Sequence, residues 1–172
     1  NAWLSKSGEG KWGWEEVPYW LKGYANIGYI TEDKVMIDEA KIWIESVLNS
    51  QREDGYFGPE PYVSGSLDVR TRKLDQKKRK EIDFWPNMIM LYCLQSYYEY
   101  SNDQRVIDLM TNYFKFQLDI EEEELLSGKR YWDRIRGGDN LHSVIWLYNR
   151  TGEKWLLELA EKVYRRTAPW TS

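Results

Sequence analysis

The sequence predicts an all-α fold, and within that class an α/α toroid of inner and outer helices. Three observations carry this expectation. Apolar residues from about Val17 onward recur at helical spacing, with almost no alternating strand pattern. One turn signature recurs at Thr31, Ser101 and Thr151, at the midpoint of three helical hairpins. The loops between those hairpins are unequal and rich in Trp, Gly and acids, unlike the even repeats of about 34 residues in tetratricopeptide solenoids.

The elements follow in order. Pro18 suits an early position of a first helix, because its missing N–H would be unpaired there anyway, and the apolar run continues to Ile30. A second helix is expected over about 34–50, with Ile37, Ala40, Ile44 and Val47 on one face. Residues 51–61 read as a loop, and 63–82 as a polar surface excursion, partly helical or disordered. Helix three is expected from near Pro86 and helix four through Val106, Leu109, Tyr113 and Phe116. After a loop holding Gly137-Gly138, helix five is expected near Asn140 and helix six near Glu153, ending before Pro169. The whole of 1–172 thus reads as one partial toroid domain of about three hairpins.

The turns are alike residue by residue. Thr31-Glu32-Asp33, Ser101-Asn102-Asp103 and Thr151-Gly152-Glu153 each place a hydroxyl first and an acid third. An aliphatic and an acid follow at Ile37-Asp38, Ile107-Asp108 and Leu157-Glu158. The expected physics is a helix start, with Thr or Ser capping free N–H groups and the acid facing the positive end of the dipole.

Composition narrows the function classes. A hydrophobic share of 42% and a charged share of 30% belong to a soluble globular protein. Ten Trp and thirteen Tyr exceed what helix packing needs, and suit a protein that stacks flat sugar rings. Net charge of −4 argues against a nucleic-acid partner, and the basic run over 70–80 reads as a solvated face. Cys93 is the one cysteine, so neither a disulfide framework nor a cysteine metal cluster is available, and Cys93 reads as a small core group. No run approaches the roughly 18 apolar residues of a membrane span, so no membrane partner is expected.

Candidate chemistry lies in the loops before each hairpin, where an acid, an aromatic and a helix start coincide. Trp12, Trp14, Glu15 and Glu16 precede the first hairpin, Asp83 and Trp85 the second, and Asp139, Asn140 and His142 the third. Asp54 and Tyr56 sit in the loop between helices two and three. Carboxylates can hydrogen-bond vicinal hydroxyls or move protons, and rings can stack on sugar faces. Asp83, Asp139 and Glu16 are the catalytic candidates, because glycoside cleavage generally uses two carboxyl groups. The remaining residues are substrate-binding candidates: Trp12, Trp14, Glu15, Asp54, Tyr56, Trp85, Asn140 and His142. Each has a plainer reading. Asp83 and Asp139 can cap helices, Glu15 and Glu16 can complement a dipole, Asp54-Gly55 is a common turn, and His142 can be structural.

With these residues in hand, the chain resembles the beta-L-arabinofuranosidase-like glycoside hydrolases. The resemblance is carried by Trp14-Glu15-Glu16-Val17-Pro18-Tyr19-Trp20-Leu21-Lys22-Gly23, by Asp54-Gly55-Tyr56-Phe57-Gly58-Pro59 and by Asp83-Phe84-Trp85-Pro86. Gly138-Asp139-Asn140-Leu141 leading to Trp146-Leu147-Tyr148-Asn149-Arg150-Thr151-Gly152 completes it. It implies an (α/α)6-barrel, the six-hairpin glycosidase fold, of which this sequence supplies about half the helices. It also implies a bacterial hydrolase acting on plant or microbial glycans, with arabinofuranosides among them. The alternative is a non-catalytic carbohydrate-binding or helical-repeat scaffold. The resemblance further implies a zinc-bound cysteine cluster with a cysteine nucleophile and a glutamate acid, and nothing in this segment matches that cysteine pattern. The expectation is therefore no cofactor in this segment, zinc in the full-length family, and a segment inactive alone. A periplasmic or secreted location is favoured over the cytoplasm, and exposed helix faces would permit self-association.

Overall fold

The structure is a computed structural model that describes residues 1–5, 13–59, 67–68, 73–74, 82, 84–127 and 132–169. Among the described residues, helices α1 (Glu16–Thr31), α2 (Lys34–Leu48), α3 (Trp85–Ser101) and α4 (Arg105–Leu118) are followed by the short α5 (Trp132–Ile135), then α6 (Gly137–Thr151) and α7 (Trp155–Arg166). A two-residue antiparallel ladder joins β1 (Leu67–Asp68) to β2 (Lys73–Leu74).

The long helices form three antiparallel pairs, α1–α2, α3–α4 and α6–α7. Across the pairs, α1 packs on α3 and α3 on α6, while α2 packs on α4 and α4 on α7. The result is two layers of helices, an arc of the α/α toroid that the periodicity predicts. Helix α3 lies centrally and is buried on most sides, from Trp85 to Leu91 and again at Cys93 and Leu94. Leu21 and Ala25 of α1, Ile44 and Val47 of α2, Tyr113 and Phe114 of α4, Val144 and Leu147 of α6, and Leu156 and Val163 of α7 complete one continuous core.

The recurring turn works differently from the expectation. The hydroxyl residue does not cap the next helix; it closes the preceding one. Thr31 Oγ1 donates to the Ile27 carbonyl, Ser101 Oγ to Tyr97 and Thr151 Oγ1 to Leu147, each four residues back. The following residue takes the left-handed conformation, with φ of 56° at Glu32, 56° at Asn102 and 70° at Gly152. Its N–H satisfies the carbonyl of Gly28, Tyr98 or Tyr148. The acid at the third position caps where it can. Asp33 Oδ1 accepts from the N–H groups of Val35 and Met36, and Asp103 Oδ1 from that of Arg105.

Specific side chains lock the layers. Within the first hairpin, Gly28 lets α1 approach α2 closely, since a Cβ there would stand 2.9 Å from the Met36 Cβ. Between α2 and α4, Arg105 bridges Glu45 and Asp103, each at 2.6 Å. Between α4 and α7, the buried Lys162 ammonium donates to the carbonyls of Leu118, at 2.9 Å, and of Ile120. Those are orphan acceptors where α4 ends, so the cation complements the negative end of that helix. Near the chain start, the buried Trp3 donates from its indole N–H to the Trp14 carbonyl at 2.9 Å.

Three details differ from the sequence reading. Helix α6 begins at Gly137 rather than near Asn140, so the two glycines form its first turn. Helix α5 precedes it in a stretch expected to be loop. The third lies in the excursion over 63–82, whose described positions show no helix. It holds the β1–β2 ladder, and Ile82 is buried in the core.

Two outcomes follow. Glu32 carries a Cβ in a left-handed turn where the third repeat has glycine, so Glu32→Gly should raise unfolding free energy by about 1 kcal/mol in urea titrations. The Arg105 guanidinium beside Glu45 and Asp103 holds both carboxyls below their ordinary values. These depressed values add stability above the unfolded carboxylate range, lost as pH falls through the folded values. Arg105→Met should therefore cost roughly 0.5–1 kcal/mol at pH 7, with the difference from the parent shrinking as pH falls below the ordinary carboxylate range in the same assay.

Candidate active-site cleft

The parallel packing of α1, α3 and α6 brings three helix starts to one end of the domain. Two adjoining hollows of about 520 and 230 Å³ open there, sharing Trp132 and Arg136 in their walls. Glu15, Tyr19 and Trp85 complete the smaller one, and Ile135, Gly138 and Asp139 the larger. Glu15 and Arg136 are the cap residues of α1 and α6, yet neither side chain makes a capping bond. Their polar ends are thereby left for the cleft.

Trp85 organises the centre. Its indole N–H donates to Glu15 Oε1 at 2.9 Å, tying α3 to α1. Its ring lies 5.8 Å from that of Tyr19 and carries the Arg136 guanidinium 4.9 Å above its centroid. Partial burial raises the Tyr19 phenol above its ordinary value; Arg136 opposes this, while Glu15 and Asp139 reinforce it. All three charges therefore act on the same phenol.

Asp139 is held from below. Tyr92 of α3 donates its hydroxyl to Asp139 Oδ1 at 2.9 Å. Burial raises the Tyr92 phenol strongly, and the Asp139 carboxylate adds to the shift, so Tyr92 stays a donor. The Lys22 ammonium sits 4.6 Å over the Tyr92 ring, and the exposed His142 ring lies 5.3 Å from it.

The sequence candidates divide on this geometry. Glu15, Trp85 and Asp139 line the cleft. His142 stands beside Tyr92, one turn along α6 from Asp139. Glu16 is exposed on the first turn of α1, and Trp14 is half-buried with its carbonyl occupied by Trp3. Trp12 and Asp83 lie outside the described residues.

Two candidates are buried in the core instead, and a third, the half-buried Asp54, shapes the loop of one of them. Asn140 is wholly buried, and its amide exchanges two hydrogen bonds with the equally buried Gln117 of α4, at 2.7 and 3.2 Å. Tyr56 packs edge-on against Phe116 and Tyr113, with ring centroids 5.7 and 6.3 Å away. Asp54 Oδ1 accepts from the Tyr56 N–H at 3.1 Å, forming the turn that drives Tyr56 and Phe57 inward. This loop supports the cleft from behind, since the buried Asn87 of α3 donates to the Phe57 carbonyl at 2.9 Å.

Conversely, Tyr19, Trp132 and Arg136 were not singled out from sequence. The signal available for Arg136 is its place immediately before a helix start, the position Glu15 holds in the first hairpin.

Metal ligation finds no home among the described residues, where no three His, Cys, Asp or Glu side chains gather. Cys93 is fully buried and its thiol is pushed up to about 12 by that burial, which suits neither a nucleophile nor a zinc ligand. No step is therefore assigned to zinc on these residues. No described helix is long and apolar enough to cross a membrane.

A two-layer helical arc with acids and aromatic rings gathered at its helix starts is the architecture of part of an α/α toroid. The family follows from comparison. The chain matches the model of the beta-L-arabinofuranosidase GH127 catalytic domain over residues 8–170, and it belongs to that glycoside hydrolase family. No curated protein and no solved structure matches it.

Asn140→Ala should lower unfolding free energy by about 1–3 kcal/mol, because it strands the buried Gln117 amide. Urea titrations of the parent and the variant check the difference.

Proposed function

We propose that this segment forms one wall of the substrate cleft of a hydrolase acting on plant or microbial glycans, arabinofuranosides among them. The observation that carries the reading is the convergence of Glu15, Tyr19, Trp85, Trp132 and Asp139 from separate parts of the chain on two adjoining hollows. The exposed Trp132 ring and the Tyr19 ring give apolar faces for a sugar to stack on. Glu15 and Asp139 each accept one protein hydrogen bond at a single oxygen, which leaves acceptor capacity for vicinal hydroxyls. Tyr92 and Trp85 hold these carboxylates in place, so their orientation is set before the sugar arrives.

Among the cleft acids, Asp139 is the one we assign to the reacting end, with Glu15 positioning the ring. Glu16 lies outside the hollow walls and is assigned no role. Catalysis by the zinc-bound cysteine set of this family would draw on residues beyond these walls, and Asp139 and Glu15 would then orient the substrate.

The test is oligosaccharide binding to this chain, followed by tryptophan fluorescence, with reducing-sugar release measured in the full-length enzyme. Trp132→Ala should weaken binding of arabinofuranosyl oligosaccharides by about 1 kcal/mol, roughly five-fold. Asp139→Asn should weaken it comparably and reduce turnover in the full-length protein by at least ten-fold. Unchanged binding in both variants would reject this cleft as the glycan site.

A further inference from the structure

We infer that Arg136 makes this cleft selective for a sugar bearing a carboxylate, that is, a uronic acid residue in the glycan; this rests on the glycan-cleft reading above. Arg136 is exposed and is shared by the walls of both hollows. Its guanidinium lies over the Trp85 ring at 4.9 Å and forms no ion pair among the described residues. Arg105, Arg150 and Arg165 behave differently, each pairing with a carboxylate of a neighbouring element: Glu45, Glu99 and Glu122 respectively. Arg136 has acids close by and does not take them. Glu15 is engaged by the Trp85 indole N–H, and Asp139 by the Tyr92 hydroxyl.

Stacking covers one face of a guanidinium and leaves its edges open. Those edges present parallel N–H donors whose spacing matches the two oxygens of a carboxylate. A ring underneath also limits the rotamers available to Arg136, so less entropy is lost when the fork engages a ligand. A uronate supplies every group this surface can use at once. Its ring faces meet Trp132 and Tyr19, its hydroxyls meet Glu15 and Asp139, and its carboxylate meets Arg136. Because Glu15 and Asp139 repel an incoming anion, the bidentate bond must carry the preference. Removing the guanidinium should then invert the preference rather than merely weaken it.

The experiment titrates the full chain with tri-galacturonate and, separately, with its fully methyl-esterified form, following tryptophan fluorescence at low ionic strength. These probes share shape and hydroxyls and differ in charge. The parent protein should bind the acid about ten-fold more tightly than the ester, and the preference should shrink with added salt. Arg136→Gln should reverse the order, so that the ester binds more tightly than the acid. Arg136→Lys, which keeps the charge and loses the fork, should fall between them.

Equal affinity for acid and ester in the parent, or a preference for the acid that survives Arg136→Gln, overturns the inference. If arabinofuranosyl oligosaccharides bind in either of those cases, the glycan-cleft reading stands without it. If no glycan of any charge binds, both are overturned.

Discussion

A single left-handed residue after α1, α3 and α6 governs everything above it. Glu32, Asn102 and Gly152 each close a helix by returning an N–H to a carbonyl in its last turn, and each lets the chain reverse at once. Reversal after the same cap forces every pair to be antiparallel. Helices α1, α3 and α6 then run parallel to one another and begin at the same end. The cleft exists because those three starts coincide, and so do the cap side chains of Glu15 and Arg136, neither of which caps its own helix. That two of the three positions tolerate a Cβ in this conformation indicates how strongly the surrounding packing imposes the turn.

The helices were legible because their apolar positions answer to local periodicity. Leu21 and Ala25, or Ile44 and Val47, fall on one face whatever lies opposite. The start of α6 was less visible because Gly137-Gly138 resembles a loop. Gly137 is in fact required by close packing, since a Cβ there would meet Thr167 and Leu126 within 3 Å. The hydroxyl of the recurring turn was placed on the wrong helix for a related reason. Its sequence context is symmetric, and only the φ of the next residue decides which helix it closes.

The site was legible in part, as a list of residue types at helix starts. Glu15, Trp85 and Asp139 satisfied that pattern and face the cleft. Asn140 and Tyr56 satisfied it equally well and do not. What separates them is burial against Gln117, Tyr113 and Phe116, residues of an outer helix remote in sequence from both. Amide and aromatic side chains can serve either environment, so residue type alone leaves their location open. Arg136 is inconspicuous in the sequence for the opposite reason, as one charge in a charged loop. Its significance lies in the ring beneath it and in the acids engaged elsewhere.

The reciprocal amide pair of Gln117 and Asn140 has a mechanical side. Asn140 adjoins Asp139 in sequence, so the outer helix α4 grips the very turn that carries one cleft carboxylate. Glu15 is referenced to α3 through the Trp85 indole. Both carboxylates are thus held directly by α3, through the Trp85 indole and the Tyr92 hydroxyl, and only the turn of Asp139 is seen to be gripped from the rear layer as well. A sliding of the layers past each other would pull on the turn of Asp139 against its hold on α3, which ties the width of the cleft to the registry of the whole scaffold.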